Sequence, residues 1–198
     1  TQQTSYEYTA NLGYEFSDRA SARFNGLYSQ NDNPTKLERS TTDFTEQPNA
    51  IVNQFEDIPG NQDNWEIGGD FETFFNNGDR FKVLFVLNQD NRDSTRGRFD
   101  LFNDGSSEKS LFWKSSSVTE EEIVRSSYTM DMFTGQDIEF GAERAVTTLD
   151  SNLALGLPNS DGTPSSAFGG LVPIPVSNAN STVEETRYEP FLIHNWII

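Results

Sequence analysis

The sequence predicts an all-β chain, folded as an antiparallel up-and-down meander of about seven strands. Three observations predict it. Apolar and polar residues alternate singly through several stretches. Short turn motifs take turns with long polar segments. Aromatic residues are abundant in an otherwise polar chain: 13% are aromatic and only 34% hydrophobic, with 16 Phe, 6 Tyr and 3 Trp. A disordered chain is poorer in aromatics, and an ordinary globular domain of 198 residues is richer in Leu, Ile, Val and Ala. A sheet with one apolar face meets both conditions, and a transmembrane β-barrel is such a sheet.

The first hairpin spans about residues 4–28. Tyr6, Tyr8, Ala10, Leu12, Tyr14 and Phe16 form an apolar file against Glu7, Thr9, Asn11 and Glu15. Ser17-Asp18-Arg19 makes a short turn, and Ala20, Ala22, Phe24, Gly26 and Tyr28 return. Such a file suits a lipid-facing surface with an interfacial aromatic girdle, and equally one face of a sandwich. Residues 29–63 lose the pattern and read as a loop. Compact domains rarely hold unstructured loops beyond roughly 12–15 residues.

The second hairpin, residues 64–88, organises the chain. Trp65, Ile67, Gly69, Phe71, Thr73 and Phe75 form one file, and Glu66, Gly68, Asp70 and Glu72 the other. Asn76-Asn77-Gly78-Asp79 interrupts; Phe81, Val83, Phe85 and Leu87 then resume opposite Arg80, Lys82 and Asn88. Asn-Gly supplies the positive-φ residues of a tight reversal. Residues 89–121 read as a second long loop, in which Phe99, Leu101, Leu111 and Trp113 point to strand extensions or self-packing.

The third hairpin covers about residues 122–148. Val124, Ser126, Tyr128, Met130 and Met132 alternate with Arg125, Ser127, Thr129 and Asp131, and Gly135-Gln136-Asp137 turns the chain. Ile138, Phe140, Ala142 and Val146 follow, with Arg144 breaking the file; near an interface its long side chain can snorkel. Residues 149–183 form a third loop rich in Gly, Pro, Ser and Asn. A seventh strand, 184–198, has no partner, and Pro190 within it predicts a bulge or a break in the ladder.

The chain has 31 acidic and 14 basic residues, a formal charge of −17. Nucleic acid is excluded as a partner, because phosphate binding needs a basic surface. The acidic excess reads as solvation of the long segments. The lack of cysteine excludes a disulfide framework and thiol chemistry. No run of about 18 apolar residues offers a transmembrane helix. No signal peptide precedes Thr1, and the first strand begins almost at once, so the chain is expected to be a slice of a longer protein.

Candidate chemistry is sparse. His194 is the single histidine, so no His-based metal cluster or triad can form within the chain; it reads as a strand residue near an interface. Glu120-Glu121-Glu122 reads as a solvated strand start in preference to a cation site. Asp90, Asp93, Asp100 and Asp104, with Asn88, Asn91 and Asn103, lack the spacing of a calcium loop and its closing Glu. Asn61-Gln62-Asp63-Asn64-Trp65 could stack a sugar, but Trp65 reads first as an interfacial anchor. Nothing near Glu184 and Glu185 forms a pocket or shifts their protonation. Arg80 and Lys82 against Glu66, Asp70 and Glu72 predict cross-strand ion pairs on the wet face, the lining expected of a barrel lumen. The expectation is no enzyme: no catalytic residue, no metal ligand and no cofactor. Ligand-binding residues stay unassigned.

At this point a family likeness enters. Gly135-Gln136-Asp137-Ile138-Glu139-Phe140-Gly141-Ala142-Glu143-Arg144-Ala145, continuing through Thr148-Leu149-Asp150-Ser151, resembles a barrel segment of TonB-dependent outer-membrane receptors. So does Arg187-Tyr188-Glu189-Pro190-Phe191 followed by His194-Asn195-Trp196, and less specifically Glu66-Ile67-Gly68-Gly69-Asp70. The resemblance implies a slice of a 22-stranded barrel, without its plug, in a bacterial outer membrane. It implies energy-coupled uptake of a ferric siderophore or other scarce nutrient, outer-membrane lipid around the barrel, and TonB engaged through the plug region. By the rule for such barrels, Ser17–Arg19, Asn76–Asp79 and Thr134–Asp137 face the periplasm and the three long segments face outside. The alternative is a secreted β-sandwich that binds glycans or acts as an adhesin; there the apolar files would be buried between two sheets.

Overall fold

The computed structural model describes residues 3–42, 47, 50–158 and 161–196. Ile197 and Ile198 of the expected last strand lie outside the described residues, as do residues 43–46, 48–49 and 159–160 within the expected loops. Ten strands follow in chain order: β1 (Thr4–Ser17), β2 (Ala20–Asp32), β3 (Thr35–Ser40), β4 (Ile51–Ile58), β5 (Gly60–Phe74), β6 (Arg80–Phe102), β7 (Ser107–Phe133), β8 (Gln136–Leu157), β9 (Val172–Ile174) and β10 (Asn180–Trp196). All belong to one antiparallel sheet, whose main path is β1-β2-β5-β6-β7-β8-β10. The all-β class and the meander are as expected, and the seven strands of this path are the seven read from alternation. The sheet is open, with β1 and β10 at its edges.

The three long segments are not loops. Residues 89–102 and 107–121 continue β6 and β7 as strand, joined by a four-residue turn at 103–106. Residues 29–63 hold the end of β2, then β3, β4 and the start of β5. Pro34 and Pro59 interrupt this hairpin at neighbouring levels, since neither donates to a ladder, and β3–β4 resumes beyond them. Residues 149–183 hold the ends of β8 and β10 with β9 and a 3-10 turn, Ser166–Phe168. The cause is physical. Alternation marks a strand only where its faces meet different surroundings, and in these extensions polar residues predominate on both faces, with apolar ones scattered between them. Their backbone ladders hold them extended regardless.

The turn expectations need a smaller correction. In the Asn76–Asp79 turn only Gly78 takes a positive φ, +92°. Asn77 acts through its side chain, whose Nδ2 donates to Asp79 Oδ2 at 2.6 Å. The buried Asp79 carboxylate also accepts the Tyr128 hydroxyl, which ties the turn to β7. Phe75, Tyr128 and Phe140 stand in file beside it, with ring centroids 5.9 and 5.7 Å apart. Pro190 makes no bulge: it pairs with Ala142 in continuous register, on a strand that has a neighbour on one side only.

The apolar residues share one face of the sheet. Leu12, Phe24, Gly69, Phe85, Val124, Arg144 and Tyr188 form one cross-strand row, and Tyr14, Ala22, Phe71, Val83, Ser126, Ala142 and Pro190 the next. That face is uncovered: Tyr8, Leu12, Tyr14, Tyr188 and Leu192 are each more than 60% exposed. Among the described residues the buried hydrophobic side chains are Ala145, Leu171 and Val172, so no two-layer core exists there.

The apolar band runs obliquely to the strand register. On β1 its outer limit is Tyr6, which lies level with Thr182 on β10 through five intervening strands. On β10 the limit is Tyr188. From end to end the border therefore slips on average about one residue per strand-to-strand step, or ~3.3 Å for every ~4.8 Å crossed, a tilt of about 35°. From Trp65 on β5 to Phe75, one residue past the end of that strand, the file covers ~33 Å, which at that tilt stands about 27 Å high.

Close packing within the sheet rests on glycine at several positions, most tightly at Gly141. A Cβ on Gly141 would meet the Ser126 carbonyl oxygen and the Phe191 ring. Gly141→Val is expected to destabilise the folded sheet by about 1–3 kcal/mol in denaturant titration. Gly13→Ala, where nothing lies within 4 Å, should change it by less than about 0.5 kcal/mol.

Candidate functional site

The face opposite the apolar band, together with its outward continuation on β3, β4, β6, β7 and β8, gathers the polar chemistry. Strand alternation places Arg23, Asp70, Arg125, Glu143 and Glu189 in one row, and Glu72, Lys82, Ser127, Gly141 and Phe191 in the next. Their charges pair across strands. Arg23 bridges to Asp70 at 2.9 Å. Arg80 sits between Glu72 at 3.8 Å and Glu139 at 4.0 Å. Arg187 meets Glu189 at 2.9 Å and Glu143 at 3.4 Å. The Arg125 guanidinium lies 4.3 Å over the Phe191 ring. Of the expected pairs, Arg80–Glu72 forms, while Asp70 takes Arg23 from β2 as its partner. Glu66 stands level with Asn88 and Lys82 with Glu72.

The same face holds Leu84, Val86, Ile123 and Ala145, an apolar island inside the polar wall. Alternation at Phe81–Leu87 drew attention to the odd positions alone, so the island was missed; an unbroken apolar run from Val83 to Leu87 was its signal.

Farther out, two carboxylates are buried. Glu56 on β4 is 7% exposed and accepts from Arg96 on β6, with Nη2 at 2.6 Å and Nε at 2.8 Å. The Arg96 hydrogen bond is the main reason its carboxyl is held below the usual range. Asp100 is 6% exposed and accepts Gln54 Nε2 at 3.0 Å, with Arg98 Nε 3.8 Å away. Gln54 Oε1 accepts from Arg39 at 3.1 Å, and Arg98 Nε donates to Ser110 Oγ at 2.9 Å. A relay of side chains thus crosses β3, β4, β6 and β7. Beside it, Leu111 pairs with Arg98, Trp113 with Arg96, and Leu155 with Trp113. An arginine file therefore adjoins an apolar one, a surface suited to holding a solute by hydrogen bonds and apolar contact.

On the opposite face, the third outer segment folds back on the hairpin of β6 and β7. Lys109 Nζ donates to the Gly169 carbonyl at 3.0 Å and stands 5.1 Å from the Phe112 ring centroid and 5.7 Å from that of Phe99. Leu171 and Val172 are buried by this folding back. None of these contacts was legible in a segment read as a loop.

The remaining candidates do not converge. Glu121 points to the polar face and accepts from Asn88 at 3.0 Å, whereas Glu120 and Glu122 point to the other. Glu184 and Glu185 likewise lie on opposite faces of β10. Asp90 and Asp100 share a face but stand ~33 Å apart along β6; Asp93 faces away, and Asp104 caps the 103–106 turn through the Ser106 amide at 2.8 Å. Asp90 is occupied by Gln62 Nε2 at 2.7 Å and by Arg92 at 2.8 Å. Trp65 pairs with Tyr28 and Gln89, its Nε1 donating to Gln89 Oε1 at 2.6 Å. His194 is an exposed residue of β10 opposite Ile138. Among the described residues no three His, Cys, Asp or Glu side chains are grouped as metal ligands.

No protein-family model matches the chain, and no curated protein matches it.

Because the folded Glu56 carboxyl titrates below its ordinary value, its pair with Arg96 contributes stability at neutral pH. That contribution is lost as pH falls from about 4.5 through the lower folded value. Amide exchange of β4 is expected to accelerate in that window. In Glu56→Gln it should already be about fivefold faster at pH 7, matching ~1 kcal/mol for a pair whose Arg96 is half exposed, and should lose this acid dependence. Identical profiles for the two proteins would refute a latch at Glu56.

Proposed function

We propose that the chain is a barrel segment of a TonB-dependent receptor in a bacterial outer membrane, serving energy-coupled uptake of a ferric siderophore or another scarce nutrient. The single observation that carries this reading is the oblique apolar band. Strands of a membrane barrel tilt by about 35–45°, and a hydrocarbon layer of fixed height then cuts each strand about one residue further along than its neighbour. The band drifts at that rate and is about 27 Å high, close to the ~25 Å apolar belt of outer-membrane barrels. Tyr8, Tyr28 and Trp65 share a row that forms the outward border on β2 and β5 and lies next to it on β1, where interfacial aromatics belong.

Three further features support the receptor class. The opposite face is lined by paired charges, as a water-filled lumen requires. One end of the sheet is built from tight turns, while the other extends in long hairpins. The segments around Gly135–Ala145 and Arg187–Trp196 resemble this family. The sandwich alternative needs the apolar files buried between sheets, and here they lie on the open side of one sheet.

The hairpins reaching beyond the band would form a wall around the receptor's mouth, with Arg92, Arg96, Arg98, Trp113 and Leu155 turned inward. Uptake would be driven through the plug region by TonB. The full-length gene product is expected to fractionate with outer membranes and to support nutrient uptake that stops when the proton gradient is collapsed. Uptake indifferent to the gradient would remove the TonB-coupled part; a protein found only in the soluble fraction would remove the barrel itself.

A further inference from the structure

We propose that Arg96, Arg98 and Trp113 form a binding site for an aromatic monocarboxylic acid, on the inward wall of the outer hairpins. The inference deepens the uptake reading above and rests on it for the direction in which this wall faces. One row across four strands carries the argument. It runs from Arg96 on β6 through Trp113 on β7 and Leu155 on β8 to Ile174 on β9. Three steps of ~4.8 Å make it ~14 Å long, with a guanidinium at one end and apolar side chains along the rest. A flat solute with one negative charge at its end matches that order of groups.

The guanidinium end is anchored. Arg96 turns one edge to Glu56, with Nε at 2.8 Å and Nη2 at 2.6 Å from the same Oε2. Glu56 is buried, so this contact fixes the plane of the guanidinium. The other edge, Nη1 with the second hydrogen of Nη2, makes no hydrogen bond among the described residues. Arg98 lies two residues along the same face, ~6.6 Å away. Ser110 Oγ holds its Nε at 2.9 Å, and its two Nη groups are likewise unbonded among the described residues. Two anchored guanidiniums thus keep free edges, which suit a carboxylate through parallel hydrogen bonds. Trp113 selects what the carboxylate is attached to. It is half-buried, and among the described residues its ring stacks on no aromatic and its indole N–H meets no acceptor. Trp65, by contrast, donates to Gln89. A ring laid on Trp113 gains offset stacking, and Leu111 and Leu155 extend the apolar surface beside it. The neighbouring charges limit the solute to one negative group. Outward, exposed Glu108 stands opposite buried Asp100; inward, Asp90 already pairs with Arg92. A second carboxylate would meet Glu108 or the apolar row.

The test measures, by calorimetry, the binding of naphthoate to the full-length protein in detergent. Naphthalenemethanol serves as its neutral counterpart and decalin carboxylate as its saturated one. Wild type is expected to prefer the acid to the alcohol about tenfold, the range of a charge-assisted hydrogen bond, and the aromatic to the saturated acid about fivefold. Arg96→Gln should abolish the first preference with alcohol binding unchanged. So should Arg98→Gln, which leaves the contact of Arg96 with Glu56 in place. Trp113→Leu should abolish the second preference and keep the first. Equal affinity of wild type for acid and alcohol, or an unchanged preference in both arginine variants, overturns the site. Equal affinity for the two acids overturns the aromatic solute. A protein that binds naphthoate in this pattern, yet whose nutrient uptake ignores the proton gradient, upholds the site and removes the energy-coupled reading alone.

Discussion

Register is the constraint on which every other feature depends. Seven strands are joined edge to edge by ladders of backbone hydrogen bonds, and the side-chain period along each is two residues. A slip of one residue between any neighbours would turn an apolar file onto the polar face for the rest of the sheet. The ladder from β1 to β10 carries its irregularities at the ends of the apolar files or beyond them: between Glu15 and Ser17, Arg98 and Phe99, and Asp131 and Phe133 on the main path. Where the two faces must differ, pairing is regular; where the chain turns or enters its outer hairpins, it bulges. Bulges collect at rims, where they re-aim the chain without inverting a face.

With register fixed, the charges sort themselves. Arg23, Arg80, Arg96 and Arg187 each find a carboxylate on a neighbouring strand, and Arg92 and Arg98 find one on their own, so a net charge of −17 coexists with a locally balanced wall. Glu56 and Asp100 carry this pairing into the outer hairpins, where burial makes it mechanical as well as electrostatic: each ties a strand of the β3–β4 flap to β6. Opposite them, Lys109 secures the third outer segment by its carbonyl bond to Gly169. The hairpins are therefore braced from both faces, and the wall they form does not depend on a hydrophobic core.

The in-band strands were legible because an apolar face and a wet face impose opposite demands on neighbouring residues. Tyr6 to Phe16 and Trp65 to Phe75 record that contrast directly. Beyond the band the contrast weakens, and residues 89–121 looked like a loop although almost all of them are strand. Leu84 and Val86 failed for the converse reason, since an apolar run reads as one face when it spans two. Pro190 was read as a defect because a proline in mid-sheet forfeits a ladder bond, a loss that matters less on a strand with one neighbour. The inward site was not legible at all. Arg96, Glu56 and Trp113 are distant in sequence, and the register that brings them together follows from pairing, not from composition.

The open edges sharpen the membrane reading. Hydrocarbon satisfies no backbone N–H or C=O, so a sheet whose apolar face meets lipid must have both edges paired. β1 and β10 cannot supply each other. Seven antiparallel strands in succession leave the first and the last running the same way, and closing them would force a parallel pair into an antiparallel barrel. Both edges also carry the apolar band at different levels, six residues apart in register, so a direct join would leave the belt with a step. Further strands that continue the same drift are the arrangement that removes the step and restores antiparallel pairing. If the sheet is part of a barrel, the geometry of these seven strands dictates the direction, tilt and register of any strand that pairs with either edge.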